Sequence, residues 1–189
     1  HTAASRCNGP VAIRYPRGAG IGAAMPPKPR LIEIGRAEVL KQAIMPADSA
    51  LIIALGQTVH PALDAAKELI RRGIDCTVVN ARFVKPLDEQ LLHELITHHA
   101  LVVTVEDHVL QGGFGSAVLE FMADAGLSAQ QTLIRLGIGD SFVEHGSQRE
   151  LRHKHGIDKD AIVVRVTAAM MKRQVRKPQS SLPFSALRH

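Results

Sequence analysis

Several residue types that organise other kinds of protein are scarce in this chain. Its 189 residues include no Trp, one Tyr, five Phe and two Cys. A core must therefore be built mainly from aliphatic side chains, which suits a layered α/β fold. Cys7 and Cys76 lie far apart without metal-ligand spacing, so we expect a reduced, cytoplasmic setting in which Cys76 is a small buried apolar residue.

Long apolar runs are missing, and so are acidic residues near the C-terminus. No run approaches the roughly 18 apolar residues of a membrane span, so no membrane partner is expected. Six of the 23 basic residues and none of the 18 acidic ones follow position 160, so the net charge of +5 comes from a basic C-terminal segment. This segment has one aromatic residue, Phe184, which favours a solvated tail over a nucleic-acid surface.

The first thirty residues have the character of a connecting segment. The N-terminal residues 1–5 match neither a signal sequence nor a transit peptide, so we expect no targeting segment there. Because the chain starts at His1 rather than at Met, we expect it to begin inside a longer protein. Residues 18–30 are rich in Pro and Gly and predict an extended linker.

From residue 31 onwards, short apolar strands alternate with helical patterns. This alternation predicts a three-layer α/β/α fold with a mostly parallel five-stranded sheet. The first strand precedes the regular series and could pair antiparallel at an edge. The predicted strands are 32–40, 50–55, 75–80, 101–105 and 132–136, and the main helices are 59–72, 89–98, one opening at 112–116, 147–155 and 158–172.

Polar groups follow the predicted parallel strands at the point where each strand ends. Ligands bind at the carboxyl edge of such sheets, so this edge is the expected functional face. The groups are Gln57 and Thr58, then Arg82 and Lys85, then Glu106, Asp107 and His108, and finally Asp140, Glu144 and His145.

Arg82 is the strongest candidate for a ligand-binding residue. Its guanidinium suits a phosphate or a carboxylate, and the alternative is an ion pair that ties its loop to Asp88 or another carboxylate. Glu106 and Asp107 could act as an acid–base pair, but we favour capping of loop amides or pairing with basic residues.

A glycine-rich segment, 112–116, opens one of the helices. Its free amides could bind an anion, or its glycines could permit close packing against another chain. No histidine or cysteine pattern has metal-ligand spacing, so no metal site is predicted. Composition and spacing together predict an anion site but no particular reaction.

Five motifs then occur in a recognisable order. The motifs are Ala-Ile-Arg-Tyr-Pro-Arg-Gly at 12–18, Asn-Ala-Arg-Phe-Val-Lys-Pro-Leu-Asp at 80–88, Thr-Val-Glu-Asp at 104–107, Gly-Gly-Phe-Gly-Ser at 112–116 and Phe-Val-Glu-His-Gly at 142–146. By these motifs the chain resembles the 1-deoxy-D-xylulose-5-phosphate synthase family from about Gly9 to Ile162.

The resemblance implies a transferase that uses thiamine diphosphate and Mg²⁺. Such an enzyme condenses pyruvate with glyceraldehyde 3-phosphate in isoprenoid and thiamine biosynthesis, as a cytoplasmic homodimer. The family's diphosphate–magnesium motif and its activating glutamate have no match here, so no catalytic residue and no bound cofactor are expected in this chain alone. The implied parts are the end of a pyrimidine-binding domain with its linker over 1–30, a transketolase C-terminal-like domain over 31–173 and a basic, disordered tail over 174–189.

Two arginines that hold the aldehyde phosphate in the family match Arg14 and Arg82. Two guanidinium groups could clamp one dianion between them. The chain departs from the family at His108, where asparagine is common, and at residues 137–140, where a proline is usual.

Two other interpretations stay open. One is the beta subunit of a 2-oxo-acid dehydrogenase or a transketolase. The other is a stand-alone, non-catalytic module for oligomerisation or anion binding.

Overall fold

Among the residues that a computed structural model describes, five strands and five helices make up the regular part from residue 30 onwards. The model describes residues 2, 7–13, 15, 20, 22, 27–28, 30–129 and 131–176. The strands are β1 (Glu38–Lys41), β2 (Ala50–Ala54), β3 (Cys76–Asn80), β4 (Leu101–Val109) and β5 (Thr132–Ile138), and the helices are α1 (Val59–Arg71), α2 (Glu89–His98), α3 (Phe114–Asp124), α4 (Gln148–Lys154) and α5 (Lys159–Arg176). Short 3₁₀ turns at Pro46–Asp48 and Gly56–Thr58 flank β2.

The strands form one sheet in the order β1-β3-β2-β4-β5. β2 pairs in parallel with both β3 and β4, and β4 pairs in parallel with β5. β1 pairs antiparallel with β3 at an edge. The predicted fold class is therefore confirmed, including the antiparallel edge strand.

Two aliphatic layers hold the helices against the sheet. Alternate residues of a strand point to opposite faces, and in β2 all five residues are fully buried, as expected for a strand covered on both faces. Ala50, Ile52 and Ala54 face one cluster, to which α1 and α5 contribute. Leu51 and Ile53 face the other, which α2 and α3 complete. Burial of each large aliphatic side chain contributes roughly 1.5–3 kcal/mol.

Local signals explain where several helices begin and end. Asp88 accepts a hydrogen bond from the Leu91 amide at the start of α2, as predicted. Ser147 and Glu150 form a capping box at the start of α4. α1 ends before Gly73, which has φ +75°, a left-handed conformation that glycine adopts without strain.

Three sequence predictions need correction. The first strand begins at Glu38 rather than at Ile32. β4 continues to Val109, so Glu106, Asp107 and His108 belong to the strand and not to a loop, because β5 extends beside it and pairs Ile138 with Val109. The last strand, β5, ends at Ile138 rather than at residue 136. At the start of α1, the Thr58 hydroxyl donates to the carbonyl of Val105 at 2.8 Å.

The predicted domain boundaries stay predictions, since residues 177–189 and most of residues 1–30 lie outside the described residues. α5 continues to Arg176, three residues into the segment predicted as a tail. In the part of the chain that the structure describes, no helix has both the length and the apolar character required to cross a membrane.

Two buried side chains have pKa values displaced by their surroundings. His99 is 1% exposed, and burial lowers the pKa of its imidazole. Its Nδ1 lies 2.7 Å from the carbonyl oxygen of Leu95 and its Nε2 lies 2.8 Å from the Thr77 hydroxyl, a pattern that suits the neutral ring. Burial raises the pKa of the Cys76 thiol to about 11.

Candidate functional site

A cleft of about 640 Å³ opens at the carboxyl edge of the sheet. After β2 the chain crosses over to β3 on one side, and then to β4 on the other side of β2. The ends of β2 and β4 therefore border a topological switch point, the usual ligand position in such sheets. The described residues that line the cleft are Tyr15, Leu55, Gly56, Gln57, Val84, Glu106, Asp107, His108, Gly112, Gly113 and Phe114.

The buried carboxylate of Glu106 lies at the base of this cleft. It accepts hydrogen bonds from the backbone amides of Phe114 at 2.6 Å and Gly115 at 2.8 Å, in the first turn of α3. An anion is favoured at a helix N-terminus, and here the chain supplies that anion itself. The favoured prediction for Glu106, capping of amides, is confirmed.

The glycines of this segment allow the close approach of α3 to β4. A Cβ atom on Gly113 would lie 2.1 Å from the carbonyl oxygen of Val109 and 2.3 Å from Oε2 of Glu106. A Cβ atom on Gly115 would lie 2.6 Å from Oγ1 of Thr104. These glycines pack within the chain, so the sequence prediction that they serve packing against another chain is not needed to explain them.

Arg135 on β5 supports the loop that precedes α3. Its guanidinium donates to the carbonyl of Leu110 at 3.2 Å and to the hydroxyl of Ser116 at 2.8 Å. The same hydroxyl donates to the Leu110 carbonyl at 2.7 Å and accepts from the amide of Gly112 at 3.1 Å. These bonds hold one wall of the cleft in a single conformation.

Arg152 on α4 connects the two strand ends that border the cleft. It donates to Asp107 at 3.0 Å and also to the side-chain oxygen of Gln57. Only 17% of its side chain is exposed. The predicted pairing of Asp107 with a basic residue is confirmed, but its partner was not predicted, because no local pattern connects residues 45 positions apart.

Arg82 lies at the end of β3 and has a left-handed backbone conformation, with φ 58°. Its guanidinium pairs with Glu38 on β1 at 2.5 Å, and 29% of its side chain is exposed. Asp88 pairs instead with Arg36 at 3.4 Å. From the loop that follows β3, Val84 lines the cleft, whereas Arg82 is not among the lining residues.

The other predicted polar residues of this edge contribute less to the cleft. Arg14 lies outside the described residues, although the neighbouring Tyr15 lines the cleft. Lys85 and His145 are exposed, and His108 lines the cleft with an exposed side chain. The structure thus brings together the ends of β2 and β4 and leaves Arg82 beside them.

Charge around the cleft is arranged in pairs. Glu144 in the loop after β5 pairs with Lys154 on α4, and this hydrogen bond lowers the pKa of the Glu144 carboxyl. Over the described ranges, no three histidine, cysteine, aspartate or glutamate side chains are grouped so that they could hold a metal ion.

Comparisons with known proteins agree with this architecture. The family described as "Transketolase, C-terminal domain" matches residues 36–162. A 1-deoxy-D-xylulose-5-phosphate synthase from Thermomicrobium roseum is 49% identical over 167 residues, which is 88% of this chain and 26% of that protein. The synthase of the same name from Syntrophus aciditrophicus is 46% identical over 90% of this chain and 25% of that protein. The chain thus spans about a quarter of the length of these curated relatives.

Solved structures support the same fold. A split-gene transketolase, described as an inactive beta4 tetramer, is 34% identical with a TM-score of 0.66, over 75% of this chain and 44% of that one. Transketolase from Campylobacter jejuni, 21% identical with a TM-score of 0.53 over 71% of this chain and 18% of that one, shares the fold. With its matching family, its synthase relatives and its switch-point cleft, the chain belongs to the transketolase C-terminal domain family.

Proposed function

We propose that this chain is the C-terminal portion of a thiamine-diphosphate-dependent synthase. The complete enzyme would condense pyruvate with glyceraldehyde 3-phosphate, release carbon dioxide and form 1-deoxy-D-xylulose 5-phosphate. The observation that carries this proposal is the 46–49% identity to synthases of that name along most of the chain. The transketolase alternative rests on 34% identity over a shorter part.

In this proposal Arg82 binds the phosphate of the aldehyde substrate, together with Arg14. Arg82 follows a parallel strand at the carboxyl edge, where ligands bind. Its partner Glu38 is 45% exposed, and an exposed ion pair of this kind contributes little to stability. A phosphate dianion can therefore replace Glu38 on the guanidinium at small cost, since bidentate arginine–phosphate bonds are among the stronger polar contacts.

The family implies thiamine diphosphate and Mg²⁺, which require metal ligands and a diphosphate-binding segment. No metal-ligand group is found in the described part of the chain. Glu106, the buried carboxylate of the cleft, is already bonded to two backbone amides. The described residues do not fit the cofactor, so the proposed contribution of this chain is substrate binding and orientation, and we expect no turnover from it alone.

The test is an Arg82→Ala substitution in the complete enzyme. The loss of one charge-assisted contact, roughly 1.5–3 kcal/mol, should raise the KM for glyceraldehyde 3-phosphate about ten- to a hundredfold and leave the KM for pyruvate unchanged. Arg71→Ala is the control, since Arg71 is exposed on α1 and, among the described residues, forms an ion pair with Glu68 alone. Unchanged aldehyde kinetics in Arg82→Ala would refute the phosphate role.

Product analysis tests the reaction separately from the role of Arg82. Formation of 1-deoxy-D-xylulose 5-phosphate by the unsubstituted complete enzyme supports the synthase. Acyl transfer to lipoamide, or transfer of a ketol group between sugar phosphates, would instead identify a 2-oxo-acid dehydrogenase subunit or a transketolase.

The proposed enzyme is a cytoplasmic homodimer. Light scattering on the complete enzyme after size-exclusion chromatography would measure a mass of two subunits. A single-subunit mass would contradict this part of the proposal without affecting the reaction.

A further inference from the structure

A second groove lies at the sheet edge opposite the cleft, where β4 and β5 begin. Its volume is about 450 Å³. Helix α5 forms one wall with Arg165, Lys172 and Arg173. The other lining residues are largely aliphatic and belong to the same wall and to the strand starts: Leu101, Thr132, Ile134, Ala168 and Ala169.

The three basic side chains of this groove lack the carboxylate partners that several other surface cations have. On α1, for example, Lys67 pairs with Asp64 and Arg71 pairs with Glu68. None of Arg165, Lys172 and Arg173 takes part in an ion pair with a described residue, and no acidic residue follows Asp160 in the sequence. The groove therefore carries positive charge that no carboxylate of the described part of the chain compensates.

One of these cations is held in place before any ligand arrives. The Arg173 guanidinium donates to the carbonyl oxygen of Ala100 at 3.2 Å, and the residue is only partly exposed. A guanidinium has five donors, so others remain for a ligand after this bond is made. A side chain that is already ordered loses less conformational entropy when it binds.

The floor of the groove adds an apolar surface to the charge. Leu101 is fully buried beneath it, and Ile134 and Ala169 are partly buried beside it. A simple inorganic anion would use only the cations, whereas a ligand with a charged end and an apolar body would cover both. The volume lies within the range of small-molecule sites.

We propose that this groove binds a small organic phosphate, with the phosphate on Arg165, Lys172 and Arg173 and the apolar portion over Ile134 and Ala169. The site lies at the opposite edge of the sheet from the cleft, so its ligand is distinct from the substrate proposed there. The proposal does not depend on the identity of the reaction.

The experiment measures binding of phenyl phosphate and of inorganic phosphate to the 189-residue chain by calorimetry and by amide NMR shifts. We expect phenyl phosphate to bind more tightly than inorganic phosphate, with shifts confined to α5 and the starts of β4 and β5. An Arg165→Gln, Lys172→Gln double substitution should weaken phenyl phosphate binding about tenfold or more, since two charged contacts are lost.

The matched control is Lys67→Gln, Arg71→Gln, which removes the same charge from α1 and should leave binding unchanged. Equal weakening of phenyl phosphate binding in both double variants would mean that the anion responds only to the net charge of the protein. That result would overturn the proposed site. So would shifts that map elsewhere, or binding by inorganic phosphate alone.

A second variant guards against misfolding of the first. Ala168 is an exposed residue of the groove wall, so Ala168→Glu should abolish binding by placing a carboxylate beside the cations, while Ala168→Gln should retain it. Cations in the last turn of a helix also stabilise it through the helix dipole. If the cations only stabilised the helix, their substitution would lower Tm in the absence of ligand, and the unsubstituted chain would not bind phenyl phosphate. That result would contradict the proposal.

Discussion

The bond between Glu106 and the start of α3 leads to a quantitative prediction for Glu106→Gln. The substitution preserves the size of the side chain but removes its charge. It also replaces one carboxylate oxygen with an NH₂ group, which cannot accept the hydrogen bond that the Phe114 or Gly115 amide donates there. Loss of one charge-assisted hydrogen bond costs roughly 1.5–3 kcal/mol. Loss of the anion at the helix N-terminus adds roughly 0.3–2 kcal/mol. The expected decrease in the free energy of unfolding is about 2–5 kcal/mol.

Urea denaturation followed by circular dichroism measures this decrease. For a domain of this size, 1 kcal/mol shifts Tm by roughly 2–4 °C, so the expected fall is on the order of 4–20 °C. The slope of the free energy of unfolding against urea concentration should not change, because the substitution does not alter the surface that unfolding exposes. Glu120→Gln on the exposed side of α3 is the control, with an expected change within about 0.5 kcal/mol. A loss below about 1 kcal/mol in Glu106→Gln would refute the assignment of Glu106 as the anion of this helix.

Three further predictions concern buried groups. Gly113→Ala should destabilise the fold by several kcal/mol through overpacking, whereas Gly139→Ala, with nothing within 4 Å of its Cβ position, should be nearly neutral in the same denaturation assay. Because burial lowers the pKa of His99, its imidazole binds a proton more tightly in the unfolded chain than in the folded one. The free energy of unfolding should therefore be highest above pH 6.5 and decrease as the pH falls below that value. His99→Gln should weaken this pH dependence. A thiol reagent at neutral pH should modify the exposed Cys7 but not Cys76, whose pKa is about 11, until urea unfolds the chain; early modification of Cys76 would contradict its burial.

Periodicity was enough to predict the layers of the fold, because a strand buried on both faces has a short apolar run that few other elements share. It was less accurate for the helix faces. Ile70 of α1 and Leu119 of α3 belong to the apolar stripes of their helices, yet they are 48% and 41% exposed. Each lies one position beyond a buried residue, and only the packed sheet decides which edge of a wide apolar stripe is covered.

The candidate site was predictable only where it depends on strand ends. The rule that ligands bind at the carboxyl edge located the cleft, since any parallel sheet with a switch point has a crevice there. It did not predict that Arg152 bonds to both Gln57 and Asp107, because these three residues meet only after β2, β4 and α4 have assembled. It also did not separate a ligand-binding role of Arg82 from its ion pair with Glu38, because the two use the same guanidinium.

The short antiparallel strand β1 has a consequence for association between molecules. An open sheet edge can recruit a strand from another chain and begin aggregation, and short, irregular or charged edge strands prevent this. β1 has four residues, a register irregularity between Val39 and Lys41, and charged side chains at both ends. Those charges are paired inward, Glu38 with Arg82 and Lys41 with Asp75. A ligand that binds the Arg82 guanidinium in place of Glu38 would leave the Glu38 carboxylate in solvent at this edge. The unpaired negative charge would add repulsion between the edges of two molecules and so favour solubility while the ligand is bound.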